Sequence, residues 1–324
     1  MGRAASIEER LANGAGISFR AVDVGGVRGM ALAIAARNVF RLFAALLAAR
    51  AMVREFEPDV IFATGGYVSA PVMWAGAREK IPSVLYLPDL EPGWAIRISA
   101  RAATRIAITF AEAARFFPRG KAVVTGYPVR AGFFETDRAR ARKFFQLDMG
   151  KPVITILGGS RGAHAINQAV AHNLATLAPL AQLIWITGLD DEMAMKEKAK
   201  EFEHVRVFGY LDAEMPHALA AADVVIARAG ASVLGELPAV GVPAILAPYP
   251  HAGRHQELNA EFLVARGAAV RVDNAALEKE IAPTAKRVLA NAPAMREKMR
   301  ALAQPDAAKR IAGLLESVSV RGCE

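Results

Sequence analysis

Short apolar runs rich in β-branched residues recur along this chain. Each gives way to a small-residue or polar turn and then to a helical stretch. Asp59-Val-Ile-Phe-Ala-Thr64, Lys151-Pro-Val-Ile-Thr-Ile-Leu157, Ala222-Asp-Val-Val-Ile-Ala227 and Pro243-Ala-Ile-Leu-Ala-Pro248 are examples. Runs this short, apolar on both alternations, suit parallel strands buried on two faces. Parallel neighbours need long crossovers, usually helical. The pattern therefore predicts an α/β chain of doubly wound parallel sheets. A chain of 324 residues is too long for one ordinary core, so domains are expected at 1–133 and 145–305, with a terminal helix within 306–324.

At 53% hydrophobic and 22% charged, the composition is that of a globular protein. The net charge of +8 is unevenly placed: residues 1–150 hold 21 Lys and Arg against 13 Asp and Glu, and the remainder holds 19 of each. A basic half suits nucleic acid or an anionic membrane surface. No RNA-binding signature or aromatic–basic interleaving is present, which argues against nucleic acid. The single Cys323 excludes an internal disulfide framework and a cysteine-based metal site. No run reaches the ~18 uninterrupted apolar residues of a membrane span, and the first ten residues hold no apolar h-region.

In chain order, Ile7–Asn13 reads as a helix capped by Ser6, and Ile17-Ser-Phe-Arg-Ala-Val22 alternates like a strand. A long helix is expected over 31–56. Its apolar residues spread over more than one stripe, which fits either burial on two sides or an apolar edge, flanked by Arg37, Arg41 and Arg50, touching a bilayer. Asp137-Arg-Ala-Arg-Ala-Arg-Lys-Phe-Phe145 reads as a basic helix with a solvated face.

Three segments carry chemistry. Gly158-Gly159-Ser160-Arg-Gly162-Ala163 follows a strand and opens a helix, which exposes backbone N–H groups to a phosphate. After the strand ending at Ala227, Gly230 and Ala231 open a helix that carries Glu236 in its first turns. A carboxylate there can accept hydrogen bonds from both hydroxyls of a ribose. The third segment, Pro248 to Asn259, offers His255 and Gln256, whose neutral donors and acceptors suit sugar hydroxyls. All three follow the carboxyl ends of strands, where open α/β sheets bind ligands.

The pattern Arg-x-Gly-Ala-x-x-x-x-Glu from Arg228, followed by Pro-Tyr-x-His-x-x-Arg-x-Gln-x-x-Asn-Ala from Pro248, resembles the nucleotide-sugar site of the MurG family. The resemblance continues through Gly65-Gly-Tyr-Val-Ser-Ala-Pro71, Gly126-Tyr-Pro-Val-Arg130 and Gly158–Ala163, and covers nearly the whole chain. It implies the GT-B fold, two Rossmann-like domains facing across a cleft, with the terminal helix crossing back to the first. It implies an inverting, metal-independent transferase of peptidoglycan synthesis, with no cofactor, peripheral to the cytoplasmic side of a bacterial cell membrane. N-acetylglucosamine would pass from UDP-N-acetylglucosamine to an undecaprenyl-linked muramyl-pentapeptide. The donor contacts would fall to Arg130, Ser160, Glu236, His255 and Gln256, with Gly158, Gly159, Gly162, Gly230 and Ala231 in the loops. No Asp-x-Asp motif is present to hold a metal.

Two departures stand out. Where most of the family carries His-Glu-Gln-Asn, this chain has Tyr86-Leu-Pro-Asp89, which leaves Asp89 as the acceptor-side candidate. The family's Gly-Gly-Thr-Gly-Gly-His loop, whose histidine is its candidate base, does not occur, so no catalytic base is assigned. The expectation is that about one βαβ unit belongs ahead of Met1, so that the first domain lacks it and activity needs it. The rival readings are another GT-B UDP-sugar enzyme, an epimerase or a glycolipid transferase, or a non-catalytic nucleotide-sugar-binding protein.

Overall fold

The computed structural model describes residues 1–2, 6–21, 32–66, 68–159, 163–250 and 254–319, with side chains in the second helix from Ala44 onward. They form two compact units, Met1–Thr125 with Lys309–Glu324, and Gly126–Ala308.

In the first unit, Ser6 Oγ accepts the Glu9 amide at 3.3 Å and so caps α1 (Ile7–Gly14). The alternation that follows does not make a strand. Among the described residues, 17–20 join no strand ladder: Arg20 O accepts the Gly2 amide at 3.1 Å, and Ala21 makes one isolated parallel bridge to Gly2. Alternation marks a face, but a strand also needs a neighbour for its backbone groups. Among the described residues, no strand of the sheet pairs with this segment. Val22 and the loop Gly25–Gly29 lie outside the described residues. Next come α2 (Leu32–Phe56), β1 (Ile61–Ala63), α3 (Ser69–Arg78), β2 (Ser83–Leu87), α4 (Trp94–Ala102), β3 (Arg105–Ile108) and β4 (Ala122–Val124). The strands are parallel and lie in the order β1-β2-β3-β4. Side chains alternate across the sheet, so Leu85, Leu87, Ile106 and Ile108 pack on one face against Ala49 and Val53 of α2, Met73 of α3 and Ile96 of α4. Arg50 and Arg54 of α2 both reach Glu79, just past α3, and hold its carboxyl below the ordinary carboxylate range.

The second unit runs α5 (Gly132–Glu135), α6 (Arg138–Phe144), β5 (Val153–Leu157), α7 (His164–His172), α8 (Leu174–Leu180), β6 (Gln182–Ile186), α9 (Glu192–Ala199), β7 (Val205–Phe208), α10 (Met215–Ala221) and β8 (Val224–Ala227). It continues with α11 (Glu236–Val240), β9 (Ala244–Leu246), α12 (His255–Ala265), β10 (Ala269–Arg271) and α13 (Leu277–Arg300). All six strands are parallel, in the order β10-β9-β8-β5-β6-β7. The chain winds outward from β5 to β7, then returns to the other side of β5 and winds out to β10. The reversal between β5 and β8 is the topological switch point, where such sheets hold their ligands. The core is apolar throughout β8, and Trp185 of β6 is fully buried. Its indole N–H donates to Asn167 Oδ1 at 3.0 Å, while Asn167 Nδ2 donates to Thr187 O at 2.8 Å. The largest core side chain thus has its polar atom satisfied. After this unit, α14 (Ala307–Val318) joins the first. Ile311, flanked by Leu314, Leu315 and Val318, covers Val84, Tyr86 and Ala107 on the other face of that sheet.

Helix α6 corrects the reading of a solvated basic face. Arg138 and Arg140 are exposed, but Arg142 is only 3% exposed. Its guanidinium donates to Ala221 O at 3.2 Å, Met149 O at 2.8 Å and Asp223 Oδ2 at 2.7 Å. Burial pushes its pKa below the usual arginine value, and these partners are what keep a charge there tolerable. Arg142→Ala should cost about 3–5 kcal/mol in urea unfolding, the penalty for stranding a buried partner. Arg140→Ala, two residues away on the same helix, should stay within about 0.5 kcal/mol. Equal effects from the two would refute the distinction.

Candidate functional site

The loop after β8 starts with Arg228. It is half-buried, and burial pushes its pKa below the arginine norm. One Nη1 donates to Ala247 O at 3.0 Å and to Asn274 Oδ1 at 2.8 Å, and the guanidinium lies 5.5 Å from the centre of the Tyr249 ring. The side chain therefore bolts the end of β8 to the end of β9. Asn259, fully buried on α12, does the same from the other direction, its Nδ2 donating to Ala229 O at 3.0 Å. Gln256 Oε1 accepts the Tyr249 amide at 2.8 Å, which closes the turn between β9 and α12. The loops after β8 and β9 thus form one hydrogen-bonded block at the switch point.

Glu236 does not sit inside a helix opened by Gly230. Residues Ala231–Leu234 make a single 3₁₀ turn, Gly235 breaks it, and α11 begins at Glu236. Packing fixes the residue type at the break, because a Cβ on Gly235 would run into the Tyr127 ring. Gly241, at φ 72°, then ends α11 with a left-handed cap. Glu236 is held in a half-buried place, where burial raises its pKa to about 7. The charge of Arg130 and a hydrogen bond from Ser232 oppose that rise. Arg130 is anchored by Asp212, through Oδ1 at 3.1 Å and the main-chain oxygen at 3.0 Å.

The structure thus brings Arg130, Gly230, Ala231 and Glu236 together around one loop, with His255 and Gln256 opening the adjoining α12. Gly230 has an ordinary φ of −63°, and a Cβ there would meet nothing within 4 Å. The fold itself makes no demand for glycine at 230, and the space beside its backbone is open to a ligand. Across the switch point, Gly158 and Gly159 follow β5, and Gly159 needs its glycine for a φ of 82°. Ser160 and Gly162 lie outside the described residues. Asp89 belongs to the first unit, so no contact within either unit joins it to the others. Its loop is held by Thr109 Oγ1 donating to Pro88 O at 2.9 Å and by Arg97 Nε donating to Pro92 O at 2.9 Å.

Residues 1–108 match the N-terminal domain of glycosyltransferase family 28, and residues 153–311 match its C-terminal domain. A UDP-N-acetylglucosamine--N-acetylmuramyl-(pentapeptide) pyrophosphoryl-undecaprenol N-acetylglucosamine transferase from Roseiflexus sp. is 38% identical over 96% of this chain and 81% of its own length. One of the same name from Thermodesulfovibrio yellowstonii is 32% identical over 98% of this chain and 89% of its own. The chain belongs to the MurG family. The crystal structure of Acinetobacter baumannii MurG, 24% identical, superposes with a TM-score of 0.74 over 97% of this chain and 89% of that one, a likeness of fold. Two Rossmann-like units of the GT-B type are therefore established.

Within this candidate site, Arg228 and Asn259 are the residues that reading for ligand contacts passes over. Both stand in the motif itself, and that position is the signal for them. Their work is to hold loops, which hydrophobic periodicity does not register.

The raised pKa of Glu236 carries a stability consequence. Between its ordinary value of 4.5 and about 7, the folded state holds a proton that the unfolded chain has released. Stability is therefore undiminished below the lower value and falls as pH rises through this window. Glu236→Gln removes the effect. It should leave stability unchanged near pH 4 and raise it by about 2–3 kcal/mol above pH 8, after allowance for partial solvation. Thermal unfolding of both proteins across pH checks this. A difference that is constant with pH would refute it.

Proposed function

We propose that this chain transfers N-acetylglucosamine from UDP-N-acetylglucosamine to the lipid-linked N-acetylmuramyl-pentapeptide, with inversion at the anomeric carbon. The observation that carries the reading is the correspondence with transferases of that name over nearly the whole chain. The donor roles rest on the site. Glu236, when ionised, accepts the two ribose hydroxyls. The loop from Gly158 and the loop at Gly230 offer backbone N–H groups to the diphosphate. His255 and the amide nitrogen of Gln256 face the sugar, while the Gln256 oxygen holds the turn at Tyr249. The acceptor hydroxyl attacks the anomeric carbon opposite the departing diphosphate and gives up its proton to solvent, the bond between the anomeric carbon and the diphosphate oxygen breaks, and UDP leaves with its charge met by the loops. Arg130 adds positive charge beside the carboxylate.

Calorimetry at pH 8 tests the donor assignment. Glu236→Ala should weaken UDP binding by about 1.5–3 kcal/mol, as charge-assisted hydrogen bonds do. Unchanged affinity in a folded variant would refute it. Incubation with UDP-N-acetylglucosamine alone separates the rival chemistry, because an epimerase would alter the sugar without an acceptor.

An anionic membrane surface is the proposed working site. Among the described residues no helix is long and apolar enough to cross a bilayer. The first unit nevertheless exposes Trp94, at 69%, with Ile98 one turn on along α4 and Trp74 on α3. Arg97 and Arg101 stand on α4 beside them, also exposed. Such aromatic and aliphatic side chains beside arginine are the makings of an interfacial contact. The full chain should co-sediment with phosphatidylglycerol vesicles and lose binding as salt is added. Trp94→Ser should weaken that binding by roughly tenfold, the loss of about 1–2 kcal/mol of apolar burial. Equal binding by the variant would exclude α4 from the contact.

A further inference from the structure

The second unit has a basic concavity that the transfer reaction does not use. It encloses about 460 Å³ and is lined by Arg138 and Arg142 of α6, Lys151, Asp223 and Arg296 of α13. Leu289, Pro293 and Met149 supply an apolar wall. It opens at the amino ends of the strands, since Pro152 precedes β5 and Asp223 precedes β8. The donor loops leave the carboxyl ends of those same strands, about 17 Å away along a five-residue strand.

Four cationic side chains here face one lining carboxylate, and that carboxylate is fully used. Asp223 accepts Arg138 at Oδ1, and Arg142 and the Val153 amide at Oδ2. Asp148, which also acts on Arg142, lies outside the lining, and its Oδ1 takes the Gly150 amide at 2.8 Å. Arg142 is spent on its buried partners. Arg296 donates to the neutral carbonyl of Ala222 at 3.0 Å, and among the described residues no carboxylate lies within ion-pair distance of it. Lys151 on the rim has its Nζ 3.2 Å from His204 Nε2, again not a carboxylate. Burial pushes the Arg296 pKa down to about 10, and repulsion from Arg138, Arg300 and Arg142 adds to this against the pull of Asp223. The cluster therefore carries positive charge that its own acids do not offset.

We infer that this concavity binds a phosphate-bearing ligand. Two forked guanidiniums, Arg138 and Arg296, approach from different helices, and an ammonium approaches from the rim. A tetrahedral group with three or more acceptor oxygens can meet all three, whereas a planar carboxylate meets fewer. The wall of Leu289, Pro293 and Met149 suits the carbon skeleton attached to such a phosphate. The donor site is a separate place, so this inference does not depend on the activity proposed above.

The probe is inorganic pyrophosphate, titrated by calorimetry into the full chain saturated with UDP, so that the donor loops are already occupied. One further saturable site is expected. Arg138→Gln with Arg296→Gln should weaken it by about tenfold or more, the scale of losing charge-assisted phosphate contacts. Lys151→Glu serves as a second variant. Its side chain is exposed and takes no part in the Asp223 network, so the fold has no reason to fail, and it should weaken binding in the same sense. UDP affinity should be unchanged in both. The source of the phosphate is read from vesicles. If Lys151→Glu loses binding to phosphatidylglycerol vesicles, the ligand is a lipid headgroup. If only pyrophosphate binding falls, it is a soluble phosphate compound. The absence of a further saturable site in the UDP-saturated protein, or equal affinity in the wild type and both variants, overturns the inference.

Discussion

Pairing of β5 with β8 is the constraint on which the second unit depends. These strands are far apart in sequence, yet Ile154 to Leu157 run in register beside Val224 to Ala227. The register sets the two strand ends level, so the glycine loop after Leu157 and the Arg228 loop after Ala227 leave the sheet side by side. All four residues of β8 are buried, which leaves the pairing no solvated alternative. A slip of one residue would turn every side chain of β8 to the other layer and separate the loops. The proposed donor site is therefore a product of core packing before it is a product of its own polar residues.

The same strands organise polar structure at both ends. At the carboxyl ends, Arg228 donates to Ala247 O and Asn274 Oδ1, Asn259 donates to Ala229 O, and together they hold the loops that follow β8 and β9. At the amino ends, Asp223 joins α6 to the start of β5 through Arg142 and the Val153 amide. In each case a charged or amide side chain is buried where strands stop and backbone groups lose their ladder partners. The cost of burying Arg142 is offset by three acceptors. The cost of burying Glu236 is offset less completely, which is why its proton is held so tightly.

Much of this architecture was legible in the sequence. Buried parallel strands are written as unbroken apolar runs, and Val224–Ala227 needs no further context to be recognised. The motif from Arg228 to Asn259 shows where the carboxyl ends of the strands carry polar chemistry. What the sequence did not reveal depends on partners distant in the chain. The alternation of Ile17–Val22 predicts a face but supplies no neighbouring strand. The run of arginines in α6 looks uniform until the fold puts Arg142 beneath Asp223 and leaves Arg140 in water. The need for glycine at 235, ahead of Glu236, comes from the Tyr127 ring, about a hundred residues upstream, which fills the space a Cβ would take.

The first unit has one property that bears on how the molecule is made. Its sheet is wound in a single direction, and the second face, at Val84, Tyr86 and Ala107, is covered by α14 from beyond the entire second unit. A ribosome delivers the strands of that sheet early and their cover late. Throughout the synthesis of residues 126–308 this apolar face lacks the helix that finally shields it. The second unit, whose six strands are contiguous in the chain, can close first. Completion of the two sheets during translation can therefore run in the reverse of the order in which they are encoded, because the cover of the early sheet is the last helix made.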